Sequence, residues 1–166
     1  MPVFDATPDG TRAFAASLPP LRGLIGLDPG TQTLGIAVSD RMRGVATPLE
    51  TVRRRKFTTD AARVLELAAG RELCGIVLGL PRNMDGSEGP RAQSARGFAQ
   101  NLSRITALPI ALWDERLSTV AAERALLEAD TSRKRRAEVI DAVAAGIILQ
   151  GLLDRLAHIE GELRER

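Results

Sequence analysis

Residues 24–39 read LIGLDPGTQTLGIAVS, an apolar run closed by Asp28-Pro29-Gly30 and followed by an alternating segment. A short apolar run stopped by a turn tripeptide predicts a core strand from Leu24 to Asp28. Beyond it Leu34, Ile36 and Val38 alternate with Gly35, Ala37 and Ser39, the period of a second strand. The link between the two is too short for a crossover, so a hairpin is expected. A third strand is expected over Val45 to Val52, and Pro48 assigns it to the sheet edge because proline cannot donate to a ladder.

Downstream the period changes. Ala61, Val64, Leu65, Ala68 and Ala69 recur at helical spacing, with Thr58 or Thr59 available as cap and Gly70 as stop. Leu73 to Leu78 is apolar throughout, as suits a parallel strand buried on both faces. A glycine-rich loop, Gly79 to Gly89, leads to a helix opened by Pro90 and running to about Arg104. Pro109 to Trp113 reads as a fifth strand. Ser118 or Thr119 caps a helix to about Ala129, and a final helix is expected from about Arg136 to Leu156. The order is β β β α β α β α α. It predicts an α/β domain with a mixed five-stranded sheet, three antiparallel strands followed by parallel β/α units, with helices packed on both faces. The domain is expected over residues 21–158, between a flexible N-terminal tail (1–20, ending at Pro19-Pro20) and a C-terminal tail (159–166).

The 166 residues suffice for one core without staples. Cys74, the single cysteine, excludes a disulfide framework and a soft-metal cluster, which points to a reducing, cytoplasmic setting. Asp5 and Asp9 in the first residues do not fit a secretory signal, and Ala142 to Leu153 is shorter than a bilayer span. Net charge is +2 but uneven: Arg41, Arg43, Arg53, Arg54, Arg55 and Lys56 against Glu50 make a local +5, and Arg133, Lys134, Arg135 and Arg136 add +4. Basic patches on an otherwise acidic body suit a polyanion partner, although each is also what a solvated loop would carry. Aromatic residues make up 3% of the chain and tyrosine is absent, which argues against a base-stacking platform for single strands.

Three acids carry the chemistry. Asp28 ends a buried strand, where open α/β sheets bind ligands, though Asp before Pro-Gly is also an ordinary turn starter. Asp114-Glu115 ends the fifth strand. Side chains alternate, so only one of the two shares a face with Asp28, and either could instead cap the next helix or pair with Arg116. Asp141 is bracketed by Val139, Ile140, Ala142 and Val143. A first-turn acid suits the helix dipole, but a carboxylate facing a packed sheet needs a cation or hydrogen bonds. Hard oxygen donors from three elements suit Mg²⁺ or Mn²⁺, and two such ions support in-line displacement at phosphorus. His158, the lone histidine, reads as a surface residue. Gly30 and Gly35 would let a phosphate backbone come close.

Gly26-Leu27-Asp28-Pro29-Gly30 with Gly35-Ile36-Ala37-Val38-Ser39-Asp40 resembles the first motif of the YqgF/RuvX family. Gly79-Leu80-Pro81-Arg82-Asn83-Met84-Asp85-Gly86-Ser87 resembles the second. Asp114-Glu115-Arg116-Leu117-Ser118-Thr119 and Ile140-Asp141-Ala142-Val143-Ala144-Ala145 resemble the third and fourth, in the same order, over roughly residues 22–156. The resemblance implies an RNase H-like nuclease in the cytoplasm, which matures the 5′ end of pre-16S rRNA or resolves Holliday junctions. Carried over, Asp28 and Asp141 match the acidic positions, with Glu115 preferred to Asp114 for the middle one, all three as catalytic metal ligands. Substrate contacts are expected from Gly30, Thr31, Arg82, Asn83, Ser87, Arg116 and the Arg133–Arg136 run. A homodimer is expected if the substrate is a two-fold junction. Two other classes compete. Asp28-Pro29-Gly30-Thr31 also resembles the first phosphate loop of actin-like and sugar-kinase ATPases, which need two such domains. A nucleic-acid or ribosome binding module without cleavage would use the basic patches but has no need of the acids.

Overall fold

The computed structural model describes residues 3–119 and 133–165, with residues 133–139 as backbone only. In chain order the elements are β1 (Val3–Phe4), α1 (Pro8–Ser17), β2 (Leu24–Pro29), β3 (Thr33–Ser39), β4 (Ala46–Arg53), α2 (Phe57–Gly70), β5 (Gly75–Leu80), α3 (Pro90–Ser103), β6 (Ile110–Asp114) and α4 (Arg133–Arg164), with a 3₁₀ turn at Glu115–Leu117. The helix expected to start at Ser118 or Thr119 falls on residues 120–132, outside the described residues.

One mixed sheet runs in the order β1-β6-β5-β2-β3-β4. The hairpin is present, with Asp28 opposite Gly35, and β4 is the antiparallel edge with Pro48 opposite Ala37 beside a register shift. β2, β5 and β6 are mutually parallel, so their carboxyl ends share one edge. Alternation sorts the side chains into two cores. Ile25, Leu27, Ile36, Leu78 and Leu112 pack beneath α2 and α3. Leu24, Ala37, Val77, Ala111 and Trp113 pack beneath α4 and α1. The apolar length of α4 is thereby spent on the sheet, through Ala145, Ile148, Leu149 and Leu152, all fully buried.

The structure corrects several boundaries. Among the described residues the sheet has six strands, because residues 3–17 of the expected N-terminal tail are structured: β1 pairs in parallel with β6, covering an edge that would otherwise be open. Phe14 of α1 is fully buried and meets Phe4 edge-on, ring centroids 5.9 Å apart. The expected C-terminal tail is helical as far as Arg164, and Ile159, on the same stripe as Leu156, is buried. Neither Thr58 nor Thr59 caps α2. The helix starts earlier, at Phe57, and the Asp60 carboxylate accepts from the Arg55 N–H at 3.2 Å, while Phe57 packs edge-on against Phe98.

Candidate active site

Asp28 lies at the carboxyl end of β2, 1% exposed, on the α4 face of the sheet. Its neighbours in the sheet are glycines. Gly35 is its partner on β3. On the other side Leu27 pairs with Leu78, so Gly79 is the next residue beside Asp28. Both glycines give their missing side chains to the site. A β-carbon on Gly35 would stand 1.9 Å from the Asp141 carbonyl oxygen, and one on Gly79 would stand 2.6 Å from Glu115 Oε1. The row Gly35, Asp28, Gly79 is therefore a floor, with Asp141 leaning over one end and Glu115 over the other. The Thr33 hydroxyl donates to Asp141 Oδ2, fixing that carboxylate from the start of β3. The structure brings the three expected acids to one face.

Asp114 goes the other way. One residue before Glu115, it faces the α2/α3 side, where Arg116 donates to it at 2.8 Å and Arg82 at 3.3 Å. Burial opposes its ionisation, but the Arg116 side-chain and backbone donors and the Arg82 charge outweigh that and hold its carboxyl below the usual range. The chain of charges continues. Arg82 pairs with Glu88, Glu88 with Arg96, and Arg96 with Asp5 of the N-terminal segment. The Arg96 hydrogen bonds, with help from Arg82 and against desolvation, pull Glu88 down to about 2. Expected substrate contacts Arg82 and Arg116 thus brace the site from within. Asn83 and Ser87 bond to each other across a turn closed by Gly86 at φ +90°. The segment is tied at both ends, by Arg82 to Asp114 and by Glu88 to Arg96.

Gly30 closes the β2–β3 turn, its N–H on Thr33 O and its carbonyl held by Arg54 at 2.7 Å, while Thr31 is exposed beside it. The basic run 41–56 divides. Arg53 pairs in register with Thr33, so exposed Arg53, Arg55 and Lys56 stand at the acid end of the sheet. Arg41 and Arg43 lie at the opposite end, where Arg43 ties down the Arg22 and Pro19 carbonyls. The side chains of Arg133, Lys134, Arg135 and Arg136 are outside what the structure describes. His158 is exposed and faces Glu162, away from the acids.

Sequence reasoning did not find Thr33 or Gly79. The signal for Gly79 was available, since a glycine ending an apolar strand marks a close approach. The donors, all hard oxygens on one face and able to approach the sheet because Gly35 and Gly79 carry no β-carbon, fit a small divalent cation. Among the described residues, no three such side chains already stand close enough to enclose an ion.

A mixed sheet of this order with helices on both faces is the RNase H-like fold of the resolvases. Thermus thermophilus RuvC superposes with a TM-score of 0.51 over 81% of this chain and 96% of its own, at 18% identity. The yeast mitochondrial Holliday junction resolvase Ydc2 gives 0.50 over 95% and 90%, at 10% identity. Within that class the chain belongs to the RuvX family, described as Holliday junction resolvase, whose model matches residues 22–155. A Ruegeria sp. (strain TM1040) protein is 71% identical over 91% of this chain and 96% of its own length, and one from Rhodobacter capsulatus is 66% identical over 90% and 94%. Both carry the name "Putative pre-16S rRNA nuclease".

Proposed function

We propose that this chain is a divalent-metal-dependent endonuclease that cuts nucleic-acid phosphodiesters in the 5′-end maturation of pre-16S rRNA, acting in the cytoplasm. The observation that carries it is the common face of Asp28, Glu115 and Asp141 above the Gly35–Asp28–Gly79 floor. Asp28, Asp141 and Glu115 would hold Mg²⁺ or Mn²⁺, two ions in all. The ions, when bound, supply Lewis acidity to the attacking water and neutralise charge on the leaving oxygen. Thr33 orients Asp141, and the Arg82–Asp114–Arg116 brace presents Glu115 on the α4 face. Arg53, Arg55 and Lys56 hold phosphates of the strand entering over β4, and Arg133 to Arg136 add charge on the α4 side. The RNA substrate is favoured by relatives about 70% identical over nearly the whole chain, whereas the resolvase structures share the fold at low identity.

Asp28→Asn, Asp141→Asn and Glu115→Gln should each abolish Mg²⁺- or Mn²⁺-dependent cleavage of a labelled pre-rRNA leader while binding survives. The amide keeps the shape and removes the charge that holds the metal. Cleavage at wild-type rate by both aspartate variants, with the fold intact, overturns the site. A four-way DNA junction runs in parallel. Preference for it over the leader transfers the reading to junction resolution, for which light scattering must show a dimer.

A further inference from the structure

A depression of about 270 Å³ lies between α1, the end of β6 and α4, with Thr7, Pro8, Trp113, Leu117 and Arg155 in its wall, together with Asp114, whose charge is taken up by Arg82 and Arg116. It continues the acid row. Trp113 is the register partner of Gly79 and shares the α4 face, and Glu115 follows it by two residues. Trp113 is 6% exposed, and its Nε1 is buried with no hydrogen-bond partner among the described residues. The indole lies over Gly151, where a β-carbon would stand 2.9 Å from Nε1, so the ring packs directly on the α4 backbone. Arg155, one turn further along α4, is half-buried and makes no ion pair among the described residues. Leu117 is 68% exposed although large and apolar.

A large aliphatic side chain held in water beside a cation that makes no ion pair among the described residues calls for an explanation. We propose that this depression is a nucleobase slot, which takes the base of a nucleotide adjoining the scissile phosphate while Arg155 meets its phosphate. The inference rests on the nuclease reading for its place in the reaction but not for its binding chemistry. Mostly apolar walls and one cation without an ion pair among the described residues match a planar heterocycle carrying a phosphate. The volume suits a single base and not a stack. The phenylalanines are spent elsewhere, Phe4 on Phe14 and Phe57 on Phe98, which leaves Trp113 as the aromatic beside the acids. β6 stands two strands from β2, about 10 Å at ordinary strand spacing, within reach of the neighbouring nucleotide.

Trp113 is the only tryptophan, so its fluorescence reports on the slot. The protein in EDTA is titrated with nucleoside 5′-monophosphates, and with ribose 5-phosphate and inorganic phosphate as controls. A saturable emission change with the nucleotides and none with the controls is expected. Arg155→Ala and Leu117→Ala, at positions outside the fully buried core, should each weaken it about tenfold and raise KM for the leader with little change in kcat. Asp28→Asn, which stops cleavage under the nuclease reading, must keep the fluorescence response, so the two ideas fail separately. Equal responses to ribose 5-phosphate and nucleotide, or affinities untouched by both variants, overturn the slot.

Discussion

Adding one methyl group at Gly35 tests whether the acids work as a placed set. In Gly35→Ala the new β-carbon meets the Asp141 carbonyl oxygen at 1.9 Å and its carbon at 2.3 Å. Both are backbone atoms of α4, so no rotamer change relieves the overlap. Restoring an ordinary contact of about 3.4 Å requires α4 to lift by about 1.5 Å at Asp141. Overpacking of this kind costs about 1–3 kcal/mol, and the remaining contacts of α4 with β2 and β5 resist the lift. A misplacement near 1 Å in a catalytic array costs on the order of 100-fold in rate. The expected result is a folded protein with a lowered denaturant midpoint and single-turnover cleavage reduced about 100-fold. Leader binding should hold within a few-fold, because the cations on β4 are undisturbed. Gly79→Ala is the comparison: its β-carbon meets side-chain ends, Glu115 Oε1 and Ile148 Cδ1, each at 2.6 Å, which can swing. It should be less destabilised and still slowed, since Glu115 is what swings. Wild-type cleavage by Gly35→Ala would show that the spacing between Asp28 and Asp141 is immaterial, and the floor argument would fall.

The two neighbouring acids should separate cleanly: Glu115→Gln abolishes metal-dependent cleavage at little cost in stability, while Asp114→Asn costs about 2–3 kcal/mol by stranding Arg82 and Arg116 and still cleaves with Mn²⁺, as urea melts and Mn²⁺ titrations will show. Glu88, whose carboxyl is drawn down from 4.5 to about 2, stabilises the fold fully above pH 4.5 and loses that contribution as pH falls toward 2. The stability gap between wild type and Glu88→Gln should therefore narrow across that window in denaturant midpoints, and a constant gap refutes the pairing. Joint replacement of Arg53, Arg55 and Lys56 by alanine should lower the salt slope of duplex binding by up to about 0.9 per lost phosphate contact. Arg41→Ala, at the far end of the sheet, should not.

What could be read along the chain was whatever depends on local period. The hairpin, the parallel strands and the arrival of Asp28 and Glu115 at one sheet edge all follow from alternation and turn residues. Three-dimensional placement was harder. Residues 3–17 looked like a tail because β1 contributes only Val3 and Phe4 and α1 carries Gly10 and a single large apolar residue facing inward, Phe14. Its start was nonetheless marked, since the Thr7 side chain accepts from Gly10 N–H and Pro8 occupies the first turn. The basic run 41–56 was counted as one patch, yet the eight residues of β4 hold its two parts about 24 Å apart at the strand rise. A sum of charges along sequence cannot see that.

The same strand geometry separates Asp114 from Glu115, and under the proposed function it gives the two acids different tasks. At the end of β6, consecutive side chains leave on opposite faces. Glu115 takes the α4 face with Asp28, and Asp114 takes the other, where a line of alternating charges from Asp5 through Arg96, Glu88 and Arg82 closes on it. Putting the two at adjacent positions lets one backbone segment serve both ends: the arginine clamp on Asp114 sets the direction in which Glu115 leaves the strand. The N-terminal segment, joined to this line through Asp5 and to β6 through β1, then supports the site, although it begins twenty-odd residues before the first acid.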